Sequence, residues 1–250
     1  MAAIRGVCLD IAGVLTDNGR LLPGAREALA DLDAAGLPWR LLTNTSRRPP
    51  ADLLAELAAL GLPVQADQLY AAPQVVADVV RTRALSPLLI VHPAIRHLFP
   101  AMRRAPDAVV LCDAGEGFDY RTLDAAFALL MQGAPLLAVG RNRHFQGRDR
   151  LELDAGPFVR ALEDAAGISA EVIGKPGRAM FDLACASLGL PATQVAMIGD
   201  DRIADVDGAE AAGLQGWLVR TGKYRAGDER GIEARCAADV REAVRRLLAG

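Results

Sequence analysis

The stretch IRGVCLDIAGVLTD, residues 4–17, decides how the rest of the chain is read. Its first seven residues form a short apolar run ending on Asp10, which predicts a buried strand, and Gly13 marks a turn directly after it. A strand that delivers one carboxylate into a glycine turn is a place for chemistry as much as for packing. Position 12, two residues beyond Asp10, holds alanine and brings no functional group.

Strand and helix signals alternate from there. Residues 23–35 predict a helix, with Pro23 near its first turn and Gly36 as its stop. A second strand follows at 39–43, a helix closed by Gly61 at 51–60, and a short strand at 68–71. The far end repeats the style, with strands at 171–173, 195–198 and 216–219 and helices at 179–188, 204–212 and 237–248. Such alternation predicts a parallel sheet covered on both faces. The middle of the chain has its own strands, at 88–91, 108–111 and 136–139, and its own helices, at 74–83, 121–131 and 158–166. The expected organisation is an α/β core, residues 1–72 and 170–250, interrupted by an inserted α/β module, residues 73–169.

Composition sets the outer limits. The 250 residues are 52% hydrophobic and 24% charged, enough for a proper core. A net charge of −3 gives no electrostatic case for nucleic acid or for an anionic membrane. Cys8, Cys112, Cys185 and Cys236 are scattered without CxxC spacing and read as buried thiols in a reducing compartment. No basic-then-apolar leader follows Met1, and no apolar run approaches the ~18 residues of a membrane span. A soluble, cytoplasmic protein is expected. Of the 28 basic residues only Lys175 and Lys223 are lysine. Each lysine is therefore a place to ask whether a compact point charge is needed.

In an open parallel sheet, ligands gather at the carboxyl ends of the strands. Four such ends carry polar groups: Asp10, Thr43-Asn44, Lys175 and Asp200-Asp201. Taken singly each reads as a turn or a helix cap; together they suit a phosphoryl site. Asp10 and Asp200 make a hard oxygen site for Mg²⁺. Lys175 and the metal would neutralise a phosphoryl dianion, while the Thr43 hydroxyl and the amides after it would bind its oxygens. Asp10 then becomes a nucleophile that forms an aspartyl-phosphate. Asp205, one turn beyond Asp201, is placed to orient Lys175 or a metal-bound water.

"DIAGVLTD", "LLTNTS", "VIGKP" and "MIGDDRIADV" resemble, in order, the four motifs of the haloacid dehalogenase (HAD) superfamily. The insertion resembles the C2 cap of its class IIA members. Within that class, "CLDIAGVLTDNG", "DAGEGFDY", "EVIGKP", "MIGDD" and "VRTGKY" resemble the phospholysine phosphohistidine inorganic pyrophosphate phosphatase group. The resemblance implies a HAD-like Rossmannoid core with a C2-type cap. It implies Asp10 as nucleophile and metal ligand, with the Ala12 carbonyl and the Asp200 side chain as further Mg²⁺ ligands. Thr43, Asn44, Thr45 and Ser46 would form the phosphate loop, with Lys175 as its cation and Asp201 and Asp205 in support. A homodimer through the cap is implied in the same way.

Most phosphatases of the superfamily have aspartate at position 12, where it protonates the leaving oxygen and then activates water. Its loss is worth ~10²–10⁴-fold for a leaving group that needs a proton. Sugar phosphates should be poor substrates, whereas pyrophosphate, acyl-phosphate or P–N substrates, a phosphoamino acid among them, are tolerated. The alternative is a phospho-ligand-binding or regulatory protein with negligible turnover. A phosphonoacetaldehyde hydrolase also carries D-x-A-G, but residues 17–39 hold no lysine for its Schiff base. A phosphoacceptor receiver domain fails on motif order and size. The arginine-rich segment "GRNRHFQGRDR" reads as a surface loop or as a site for a second phosphate, and Lys223 has no chemical role in this reading.

Overall fold

The computed structural model describes residues 3–101, 105–147 and 150–249, which divide into two compact units. The larger comprises residues 1–43, 51–70 and 178–250. Its sheet has six strands, in the order Cys236–Ala237, Gln215–Val219, Val195–Gly199, Gly6–Leu9, Trp39–Thr43 and Leu69–Ala71. The pairings from Cys236–Ala237 across to Trp39–Thr43 are parallel, with Leu9 opposite both Ile198 and Leu41. The strands GVCL, WRLLT and VAMIG are near-continuous apolar runs because both faces of such a sheet are covered. Leu9, Leu41, Leu42, Ile198 and Leu218 are fully buried in it. The helices Ala25–Ala34, Pro50–Ala59, Arg178–Leu188 and Val240–Leu248 agree with expectation to within a few residues.

The helix expected at 204–212 differs. Arg202–Asp207 is a π-helical turn, and only Gly208–Ala212 is α-helical. Asp201 caps this turn: its Oδ1 accepts from the N–H groups of both Ile203 and Ala204, at 3.1 and 3.0 Å. Such turns concentrate at functional sites. A hairpin, Thr16–Asp17 with Arg20–Leu21, also lies outside the expected elements. Asn18 and Gly19 close it, both at positive φ, which is the turn chemistry that an Asn-Gly pair favours.

The smaller unit comprises residues 44–50 and 71–177. Its parallel sheet runs Glu171–Val172, Leu136–Ala138, Ala108–Leu111, Pro87–Ile90. Helices Ala72–Thr82, Tyr120–Leu130 and Gly156–Ala166 accompany it, the second capped by Asp119, which accepts from the Thr122 N–H at 2.8 Å. The strand expected at 171–173 in the core sheet is thus an edge strand of the smaller sheet, beside Leu136–Ala138. Two residues of apolar pattern do not specify which sheet they join. The boundaries differ from the expected 72/73 and 169/170 accordingly, with residues 44–50 and 170–177 grouped in the smaller unit. Part of the arginine-rich segment, read as a loop, pairs as a hairpin, His144–Gln146 with Leu151–Leu153. Arg148 and Asp149 lie outside the described residues. Among the described residues no helix is long and apolar enough to cross a membrane.

Candidate active site

The six-stranded sheet reverses its winding between two neighbours. From Gly6–Leu9 the chain moves out through Trp39–Thr43 to Leu69–Ala71; from Val195–Gly199 it moves the opposite way to Gln215–Val219 and Cys236–Ala237. The crevice beyond the carboxyl ends at such a switch point is where open α/β sheets bind ligands. Asp10 directly follows one of these two strands and Asp200 the other. The ladder fixes them together, since the Asp10 N–H donates to the Ile198 carbonyl at 3.0 Å. Asp10, Asp200 and Asp205 each offer a carboxylate oxygen within 4.8 Å of the others, and all three are buried.

The two oxygens of Asp200 have different fates. Oδ2 accepts from the Lys223 N–H at 2.7 Å, whereas Oδ1 has no hydrogen-bond partner among the described residues. An orphaned carboxylate oxygen in a buried site costs ~1–3 kcal/mol or more. Burial, and then the charges of Asp10 and Asp205, push the Asp200 carboxyl up to about 8. A hard divalent cation would satisfy that oxygen and remove the repulsion, so this donor set fits such an ion. The backbone packs closely against the Asp200 carboxylate. At Gly13, φ +83°, and at Gly222, φ +55°, an added Cβ would stand 2.0 Å from Asp200 Oδ2. Asp205 Oδ2 accepts from the Asp201 N–H at 3.1 Å, and an added Cβ on Gly199 would meet Asp205 at 2.2 Å. The Lys223 ammonium bonds Asp201 Oδ2 at 3.2 Å. Desolvation lowers the pKa of that lysine, but Asp201, Asp10, Asp200 and Asp205 together raise it above its ordinary value.

Thr43, the last residue of its strand, is buried, and Ala12 is exposed in the turn after Asp10. Lys175 departs from expectation. It does not end a strand of the six-stranded sheet but belongs to the smaller unit, where it is almost fully buried. There Asn44 grips its backbone from both sides: Asn44 Nδ2 donates to the Lys175 carbonyl at 2.7 Å, and the Lys175 N–H donates to Asn44 Oδ1 at 2.9 Å. Gly174 is needed for this approach, since a Cβ there would lie 2.7 Å from Asn44 Oδ1. Thr45 is partly buried, and the Ser46 hydroxyl accepts from the Asp113 N–H at 3.3 Å. Sequence reasoning missed Arg47. It bonds Asp113 at 2.7 Å and Glu152 at 3.0 Å and stacks over Phe145, tying the 44–50 segment to the hairpin. It also left Lys223 without a role, although the scarcity of lysine was the signal. Arg141, from the arginine-rich segment, pairs with Glu163.

The chain is similar to known proteins along nearly its whole length. A family model described as haloacid dehalogenase-like hydrolase matches residues 7–102, and a second, described as HAD-hydrolase-like, matches residues 172–247. The human phospholysine phosphohistidine inorganic pyrophosphate phosphatase is 37% identical over 258 aligned residues, covering 99% of this chain and 96% of that one. The bovine haloacid dehalogenase-like hydrolase domain-containing protein 2 is 39% identical, covering 91% and 88%. Among solved structures, a 4-nitrophenylphosphatase from Thermotoga maritima superposes with a TM-score of 0.87 at 24% identity, covering 97% of each chain.

Proposed function

The chain belongs to the haloacid dehalogenase-like hydrolases, as a phosphatase, and from that membership we propose a magnesium-dependent phosphohydrolase that works through an aspartyl-phosphate on Asp10. One observation carries the reading: three buried carboxylates at the switch point, with Asp200 Oδ1 lacking any partner among the described residues. Mg²⁺ held by Asp10, Asp200 and the Ala12 carbonyl would supply Lewis-acid polarisation and neutralise charge around the phosphoryl group.

The residues divide the work as follows. An Asp10 carboxylate oxygen attacks phosphorus, and the bond from phosphorus to the leaving group breaks with its electron pair on that group. Water then attacks the same phosphorus, the Asp10–phosphorus bond opens, and inorganic phosphate leaves with the carboxylate restored. The Thr43 hydroxyl would bind the phosphoryl oxygens, and the family motifs assign the 44–46 segment and the Lys175 ammonium to the same task. Both ends of the Asn44 amide are engaged on the Lys175 backbone, which supports a role in presenting the lysine. Asp201 and Asp205 hold the turn after Asp200.

Ala12 decides the substrate class. With no side-chain acid there, the leaving group must depart unprotonated or bring its own proton. This favours pyrophosphate, acyl-phosphate and P–N bonds over alkyl esters. Substrates of the first and third kinds appear in the name of the human relative. A reducing, cytoplasmic setting fits four buried cysteines that form no disulfide among the described residues. The test is phosphate release from acetyl phosphate, pyrophosphate, imidodiphosphate and a sugar phosphate, with Mg²⁺ and then with EDTA. Metal-dependent turnover of the first three, abolished in Asp10→Asn, supports the reading. Turnover that survives EDTA or the substitution would overturn it.

A further inference from the structure

The second lysine lies beside the acidic turn, its ammonium on Asp201 and its backbone N–H on Asp200. The loop after Gln215–Val219 is anchored to the acidic turn at two backbone points: the Thr221 hydroxyl donates to the Gly13 carbonyl, and the Lys223 N–H donates to Asp200 Oδ2. Gly222 between them approaches so closely that an added Cβ would lie 2.6 Å from the Gly13 Cα. The Lys223 side chain, half exposed, reaches back to Asp201 at 3.2 Å, next to Asp200 in sequence. One residue therefore orients a metal-binding carboxylate with its backbone and brings a positive charge with its side chain.

We infer that Lys223 is the resident counter-cation of the acidic cluster: a positioning residue that stabilises the metal-free site and moderates its hold on the metal. The inference rests on the magnesium reading above. Asp10, Asp200 and Asp205 repel one another when no cation lies between them, and the ammonium offsets part of that repulsion. Once a divalent ion is bound, the same ammonium is a like charge beside it. Lys223 thus lowers magnesium affinity while raising the stability of the empty protein, which keeps the metal exchangeable.

The test is magnesium titration of the EDTA-stripped full-length chain by calorimetry at low ionic strength, with melting temperatures measured before and after loading. Lys223→Met keeps the backbone N–H and the aliphatic stem and removes only the charge; Lys223→Arg keeps the charge. The expected result is roughly fivefold tighter magnesium binding in Lys223→Met. Its metal-free melting temperature should fall by roughly 2–4 °C, and Lys223→Arg should follow wild type. Unchanged or weaker binding in Lys223→Met overturns the counter-cation role while leaving the metal site standing. Absence of magnesium binding in wild type, or binding that persists in Asp200→Asn, overturns the metal reading and this inference with it.

Discussion

Asp200→Asn should make the metal-free protein more stable, and only in a defined pH window. The native carboxyl is raised from 3.8 to about 8, first by burial and then by Asp10 and Asp205. In that window the folded state holds a proton that the unfolded state has released, so stability falls as pH rises from about 4 to about 8 and is flat above. At about 1.36 kcal/mol per pH unit the upper limit of this loss is roughly 5–6 kcal/mol; relaxation of the neighbours brings the expected figure to about 2–4 kcal/mol. Asparagine keeps an oxygen for the Lys223 N–H and removes the charge. Metal-free Asp200→Asn should therefore melt roughly 5–10 °C above wild type at pH 8 and nearly with it at pH 4. Scanning calorimetry in EDTA across pH 4–8 reads this directly. Saturating Mg²⁺ should reverse the order, because only wild type gains from the ligand. A variant equal to or less stable than wild type at pH 8 without metal would falsify the repulsion argument.

Two further substitutions probe the same neighbourhood. Ala12→Asp supplies the missing acid and should raise turnover of alkyl phosphate esters by ~10–10³-fold with little change on acetyl phosphate, read as initial rates on both substrates. Gly222→Ala, strained at φ +55° and placing Cβ 2.0 Å from Asp200 Oδ2, should displace that carboxylate and weaken magnesium binding at least ~10-fold, measured by calorimetry.

Long apolar runs and the residues at their carboxyl ends were legible from sequence. Gly6–Leu9 and Val195–Gly199 could be nothing but buried strands, so Asp10 and Asp200 were visible before their adjacency was. The smaller unit's helices were equally plain, each lying within a few residues of its expected bounds. The partner of a two-residue strand was not legible, since Glu171–Val172 carries too little pattern to choose between two sheet edges. That one ambiguity put the strand preceding Lys175 in the wrong sheet. The π-helical turn escaped for a different reason: over six residues a period-based reading does not separate it from ordinary helix. The Asn18-Gly19 hairpin could have been found from its turn pair alone. Lys223 was singled out by rarity, but its work depends on a backbone N–H, and no residue type advertises that.

The acids Asp10, Asp200 and Asp205 are all folded by the larger unit, whereas Lys175 and its holder Asn44 are folded by the smaller one. The acids are therefore set by the ladder between Gly6–Leu9 and Val195–Gly199, whereas the Lys175 backbone is set by the two ends of one Asn44 amide.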